Sequence, residues 1–363
     1  MTAILRPGGV SRDFEVIAVW IMLGLGLGAV ALDLLGDDES SDDTPDDTPE
    51  DSDGELFFVD DGETVTGTDG TDLFTYDPSA TGLAGATASG GAGDDVFIFD
   101  TGGLVLNSSA LDGGTGNDLM RVNANASTIS GGEGDDTIEG ALTGGRVFGD
   151  AGDDQITIVT RGADNPELDG GLGNDTIDAR GSNNIGLFGA EGDDLLITDG
   201  FGVGGAAYLI TADGGEGDDT LRHEYSYSPP RVDAEPGVDL PAQLTGGSGA
   251  DVFEIGLIAG NGGFTGNGSE TVTETIAVVQ DFAPGEDVLT IDLGGLGLGY
   301  TATEATLVEN TADGTTTFQM TLTSATLPTQ NLSVTMNNAT GVSWDDVVFT
   351  NGTPPTLVPP AVV

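Results

Sequence analysis

The chain has no cysteine and no lysine, and only one histidine and two tryptophans in 363 residues. Without cysteine there are no disulfides and no thiolate metal sites, which fits a protein that works outside the cell without an oxidative folding step. With His223 alone, the usual nitrogen and sulfur ligand set of zinc is excluded. Positive charge is nearly missing too: eight arginines stand against 62 acids, for a formal net charge of −54. Such a polyanion is repelled by nucleic acid and by acidic membrane surfaces, so neither is expected as a partner, whereas cations are.

High charge with 6% aromatic residues is a composition typical of disorder. Against that stand 37% hydrophobic residues in short β-prone clusters, which predict folding once cations are present and disorder without them.

One uncharged apolar run interrupts the pattern. VIAVWIMLGLGLGAVAL, residues 16–32, follows Arg6 and Arg12 and precedes a crowd of acids. That asymmetry leaves the N-terminus in the cytoplasm and carries the rest across the membrane. The run is at the short end for a spanning helix, and Ala29-Val30-Ala31 has the small residues of a signal cleavage site. Residues 1–35 are therefore expected to form a hydrophobic signal or anchor helix, with the anchor preferred, so that the only membrane contact is with the protein's own membrane. Eleven acids and no base between Gly36 and Glu55 predict a self-repelling, disordered linker, assigned to 36–63.

The middle of the chain repeats a phrase, G-G-x-G-x-D-x-U-x with U apolar. Copies begin at Gly67, Gly90, Gly113, Gly131, Gly149, Gly170, Gly189, Gly214 and Gly246. The sixth position is Asp72, Asp95, Asp118, Asp136, Asp154, Asp175, Asp194, Asp219 and Asp251 without exception, and the eighth is always apolar. Glycines reach positive φ and so can turn carbonyls toward one point, and the aspartate adds a short carboxylate. An all-oxygen cage of this kind suits Ca²⁺ better than Mg²⁺, which demands tighter geometry and keeps its waters.

These repeats resemble the hemolysin-type calcium-binding, or RTX, repeats of secreted bacterial proteins, over about half the chain. The resemblance implies an all-β fold, a right-handed parallel β-roll or β-helix solenoid over 64–255, with Ca²⁺ held between stacked turns. It further implies ligands from Asp72 and from the turns Gly90, Gly93, Asp95; Gly113, Gly116, Asp118; Gly131, Gly134, Asp136; and Gly149, Gly152, Asp154. Gly170, Gly173, Asp175; Gly189, Gly192, Asp194; Gly214, Gly217, Asp219; and Gly246, Gly249, Asp251 complete the set. Perfect family arrays repeat every nine residues, but the aspartates here are 23, 23, 18, 18, 21, 19, 25 and 32 residues apart. One glycine–acid turn per coil follows, hence a single row of cations, strongest between Asp118 and Asp194. The 32-residue gap predicts a surface loop over RHEYSYSPPRVDAEPGVDLPAQ. The repeats at Gly149 and Gly189 lack the second glycine, which weakens the expected occupancy there.

Residues 256–350 are expected to cap the roll. ETIAVVQDFAPGEDVLTIDL resembles the family's closing segment, where an Asp-Phe turn and a strand cover the open core. Alternation in TTTFQMTLTS and NLSVTMNN predicts a small antiparallel extension. Residues 351–363 are read as a disordered tail.

Enzymatic signatures are weak. His223, in R-H-E-Y, lacks the second ligand of H-E-x-x-H and reads as a loop residue. Gly247-Ser248-Gly249 misses the spacing of a nucleophile elbow. The expectation is a non-enzymatic, extracellular or cell-surface Ca²⁺-binding protein that folds on binding calcium, as a surface or matrix component touching anionic polysaccharide or similar material. The alternative is a polysaccharide-modifying lyase, epimerase or glycosidase on a β-helix.

Overall fold

The computed structural model describes residues 54–363, except 78, 79, 81, 101, 102, 161–164, 183, 202–208, 228–239, 260–270 and 298. The expected helix of residues 1–35 and most of the acidic linker lie outside the described residues. Within them, the one helical element is a 3-10 turn at Trp344–Asp346, and no helix is long and apolar enough to cross a membrane.

Each copy of the phrase folds as strand, tight turn, strand, because apolar residues alternate with polar ones on both sides of the glycines. Successive copies pair in parallel and build two ladders. The glycine ladder runs through Thr87–Ala92, Ala110–Thr115, the second halves of Leu119–Glu133 and Thr137–Ala151, then Glu167–Leu172, Ile185–Glu191, Ile210–Glu216 and Ala242–Ser248. The apolar ladder runs from Leu73–Tyr76 and Val96–Phe99 through Gln155–Thr160 and Thr220–Tyr227 to Val252–Ala259.

Register makes the eighth position a single core column. Phe74, Phe97, Met120, Ile138, Ile156, Ile177, Leu196, Leu221 and Phe253 lie opposite one another in consecutive coils. All nine are fully buried, and the Phe74 and Phe97 rings stack at 4.5 Å. A one-residue slip would turn this column outward, so the phrase fixes its own register.

The two edges differ. From the copy at Gly90 onward three residues cross the glycine–acid edge, as at Gly93–Asp95 and Gly249–Asp251. The far edge absorbs every change in coil length: Leu119–Glu133 rounds it as one continuous strand with Ala126 at φ 49°. Hydroxyl and amide groups hold that edge. The Ser109 N–H donates to Ser127 Oγ (3.2 Å), Asn125 Nδ2 to Asn107 Oδ1 (3.1 Å) and the Thr160 N–H to Ser182 Oγ (2.9 Å).

Several boundaries differ from the sequence reading. Coiling starts inside the presumed linker: Leu56–Val59 pairs with Leu73–Tyr76, and the Phe57 ring stacks on Phe74 at 4.9 Å. It also continues past residue 255. Val272–Val279 and Val288–Asp292 add a coil, and Gln330–Met336 and Val347–Thr350 add another, because apolar alternation persists there without the glycines. The expected closing turn lies between them, with both Asp281 carboxylate oxygens accepting from the Gly246 and Gly247 N–H groups (3.0 and 2.9 Å) and Phe282 packed on Phe253. The antiparallel extension is a hairpin, Thr301–Asn310 with Thr315–Thr323, inserted before the last coil.

The presumed tail is ordered. Thr356–Leu357 and Ala361–Val362 pair in parallel with the hairpin's open edge, and Trp344 Nε1 donates to the Val358 carbonyl. The presumed loop begins as strand Thr220–Tyr227, while its centre, 228–239, lies outside the described residues. His223 is therefore no loop residue. It sits in the core column shared with Thr198 and Ile255, 2% exposed, and its Nδ1 is 2.9 Å from Thr198 Oγ1. Burial holds its pKa down at about 4, so it stays neutral.

Candidate metal centre at the glycine–acid edge

The three glycines of the phrase do different things. The second and fourth take positive φ, as at Gly132 (119°) and Gly134 (128°). The first does not: it is glycine for room. A Cβ on Gly113 would sit 2.1 Å from Asp118 Oδ2 and 2.2 Å from the Gly131 carbonyl oxygen, and one on Gly149 would sit 2.3 Å from Asp154 Oδ2 and 2.4 Å from the Gly170 oxygen. Strand pairing skips this residue in each coil from Gly90 to Gly246. A carboxylate oxygen and the next coil's glycine carbonyl thus converge on one spot beside a bare Cα.

In the copies at Gly149 and Gly189, where the second glycine is replaced, the backbone keeps its shape. Asp150 is held at φ 76° and Ala190 at φ 82°, a region costly for residues with a Cβ. Ala190→Gly is therefore expected to stabilise the fold by about 1 kcal/mol, read as a raised urea midpoint with unchanged slope.

The sixth-position aspartates form a ladder of their own. Each backbone N–H donates to Oδ1 of the aspartate one coil further on: Asp95 to Asp118 (2.6 Å), Asp118 to Asp136 (2.7 Å), Asp136 to Asp154 (2.7 Å), Asp154 to Asp175 (2.8 Å), Asp175 to Asp194 (2.7 Å) and Asp194 to Asp219 (2.8 Å). The row continues through Asp251 to Asp287. Asp287 is a rung that the glycine pattern could not reveal.

The other oxygen is left over. Oδ2 of Asp95, Asp118, Asp136, Asp154, Asp175, Asp194 and Asp219 is buried without a hydrogen-bond partner. The ends of the row differ: Asp72 Oδ2 accepts from the Thr68 N–H at 2.6 Å and from its hydroxyl, and Asp287 Oδ2 accepts from the Ala283 N–H at 2.7 Å. Asp72 is thus served by local donors, unlike the interior rungs with which the sequence grouped it.

Electrostatics follow from burial. Desolvation, partly offset by the N–H from the preceding coil and reinforced by neighbouring aspartates, pushes Asp118 up to about 8, Asp95, Asp154 and Asp194 to about 7, and Asp136, Asp175 and Asp251 to about 6. Asp219 and Asp287 are raised by the same causes. Among the described residues, no arginine relieves the row. Arg121, Arg146, Arg180 and Arg222 pair instead with Asp100, Glu167, Asp178 and Glu224 on the ladder faces.

A second row runs outside the first. The fifth-position residues Asp94, Asn117, Asp135, Asp153, Asn174, Asp193 and Asp218 accept, through Oδ1, the N–H of the fifth residue one coil later, as from Asp135 to Asn117 (3.0 Å) and from Asp153 to Asp135 (2.9 Å). The repeated phrase has no fixed residue at this position, but the recurring GDD and GND triplets carry its signal. Among the described residues no three acidic or histidine side chains gather as a metal-binding group. A cation at this edge would therefore be held by sixth-position carboxylates together with backbone carbonyls, a hard all-oxygen donor set that fits Ca²⁺.

No family model matches the sequence, and no curated protein matches it. Among solved structures, the solution structure of the AlgE6R3 subunit from the Azotobacter vinelandii mannuronan C5-epimerase is similar over 51% of this chain and 77% of that one, at 22% identity and a TM-score of 0.24.

Proposed function

We propose that this chain is an exported, non-enzymatic calcium-binding β-roll, a surface or matrix component whose coils are completed by cations along the glycine–acid edge. One observation carries this reading: seven consecutive buried carboxylates each keep an oxygen with no partner. Buried acceptors are nearly always satisfied, and a row of like charges one coil apart, about 4.8 Å, cannot stay ionised and unbalanced in a dry interior.

Ca²⁺ bound there supplies the positive charge that the row lacks. The aspartates contribute Oδ2, their Oδ1 atoms hold the coils in register, and the first glycines leave room for the carboxylates. Where cations are scarce, mutual repulsion keeps the repeats open. At about 10⁻⁴ to 10⁻³ M Ca²⁺, typical for extracellular modules, they close. The surface remains acidic, so contact with anionic polysaccharide runs through bridging cations.

The test is far-UV circular dichroism at pH 7.5 in chelator, titrated with Ca²⁺ or Mg²⁺. A cooperative gain of β signal with Ca²⁺ and not with Mg²⁺ is expected. A full β signal in chelator, or equal responses to both ions, would overturn the reading.

A further inference from the structure

The outer face of the apolar ladder changes character along the solenoid. In its first coils Leu56, Leu73, Val96 and Leu119 lie in register, and so do Phe58, Thr75 and Ile98. All of these positions point away from the core, since Phe57, Phe74 and Phe97 between them point into it. Further along, the same two columns become Thr137, Gln155 and Thr176, and Arg121, Glu139 and Thr157, as a solvated face requires.

The outward apolar residues of the first coils are nevertheless covered. Leu73, Val96 and Ile98 are 3, 4 and 3% exposed, whereas Leu195 and Ile197, their equivalents in a later coil, are only partly buried. Neighbours within a sheet shield the flanks of a side chain; burying an outward one to this depth takes a layer on top. Among the described residues, the apolar side chains packed against this cluster are Leu56 and Leu119, which belong to the same face.

The chain itself offers the occupant. It enters the solenoid at Leu56, within the patch. The preceding residues include the uncharged apolar run 16–32, tied to the patch by residues 33–53. Fully extended, that tether reaches about 70 Å, far beyond the three coil steps of about 14 Å from Leu56 to Leu119. Charge also selects the location: the patch is uncharged, on a protein whose surface is otherwise crowded with acids.

We propose that this face of the first coils is the docking site of the chain's own segment 16–32. The folded solenoid then shields that segment from water and competes with a bilayer for it. This inference is independent of cation binding at the glycine–acid edge.

Trp20 lies in the segment, and the other tryptophan is Trp344. In full-length Trp344→Phe protein, folded in Ca²⁺ buffer without lipid or detergent, acrylamide quenching reports Trp20 alone. Trp20 should be protected, and Ile98→Asp should raise its quenching constant several-fold with the far-UV spectrum unchanged. Thr75→Asp, at an outward position that is already polar, is the second variant should Ile98→Asp lose its fold. Three results would overturn the proposal: free quenching of Trp20 in the parent chain, protection that needs added vesicles, or protection unaltered by a folded patch variant. A parent that sediments as a dimer and a patch variant that is monomeric, with Trp20 quenching unchanged, would assign the face to a second copy instead.

Discussion

In chelator, lowering the pH from 8 to 5 is expected to stabilise the protein, the reverse of ordinary acid denaturation. The sign follows from the buried row. Its carboxyls are raised, those of Asp136, Asp154 and Asp118 to about 6, 7 and 8, against about 3.9 for a free aspartate, so between those limits the folded state binds more protons than the unfolded one. Stability is then fully present below about pH 4 and drains away as the pH rises through 6 to 8. A tenfold displacement at each carboxyl corresponds to about 1.4 kcal/mol. If half of Asp95, Asp118, Asp136, Asp154, Asp175, Asp194 and Asp251 contribute that much, the gain is about 5 kcal/mol, or about 10 °C in Tm. At Asp178 burial raises the pKa, but the bonds and charge of Arg180 together outweigh it and lower it, so this group works the other way. Saturating Ca²⁺ should flatten the profile, since the charge is then balanced without protons. A far-UV β signal in chelator that is complete at pH 8 and falls steadily toward pH 5 would show that the row is not strained when ionised.

Replacing Asp118, Asp136 and Asp154 together with asparagine is expected to have opposite effects with and without calcium. Asparagine keeps the Oδ1 acceptor for the preceding N–H and offers an amide donor where the orphaned oxygen meets the carbonyl of Gly131, Gly149 or Gly170. In chelator each change should stabilise the fold by about 1 kcal/mol or more, since a buried unsatisfied acceptor and a charge disappear together. In millimolar Ca²⁺ the order should reverse, the parent gaining more than the variant because three carboxylates have been lost. Far-UV circular dichroism in chelator, where the variant should show β signal that the parent lacks, and urea unfolding of both proteins in Ca²⁺ read the crossing. Equal calcium gains would move the binding site away from this edge.

How much of this was legible in the sequence depends on the range over which each residue is satisfied. The eighth-position column and the sixth-position aspartates were readable because strict positional identity encodes one place in every coil. The role of the first glycine was not, because its reason lies in the neighbouring coil: nothing within GGTGND says that the Gly131 carbonyl comes to rest beside Gly113. Asp72 looks like its fellows, yet Thr68, standing where most later copies have glycine, satisfies it locally. Asp287 was missed for the opposite reason, since APGEDV has lost the glycines and kept only the rung. The order of residues 56–63 and 351–363 comes from pairing with strands already in place, which composition alone does not report. His223 was misread because its neighbours resemble a loop, although it occupies a core column shared with Thr198 and Ile255.

The two aspartate rows give the solenoid a direction of growth. In the inner row a coil's N–H is satisfied by a carboxylate that comes later in the chain, as Asp118 by Asp136. In the outer row the acceptor comes earlier, as Asn117 for Asp135. A coil added at the C-terminal end therefore finds its outer acceptor waiting and brings the inner acceptor that its predecessor lacks. The end opposite Asp72 is a live template until a segment without the phrase terminates it. Asp287 ends the inner row and Asp281 caps the Gly246 turn, so a chain cut after Ser248 would leave the Asp219 N–H without its acceptor.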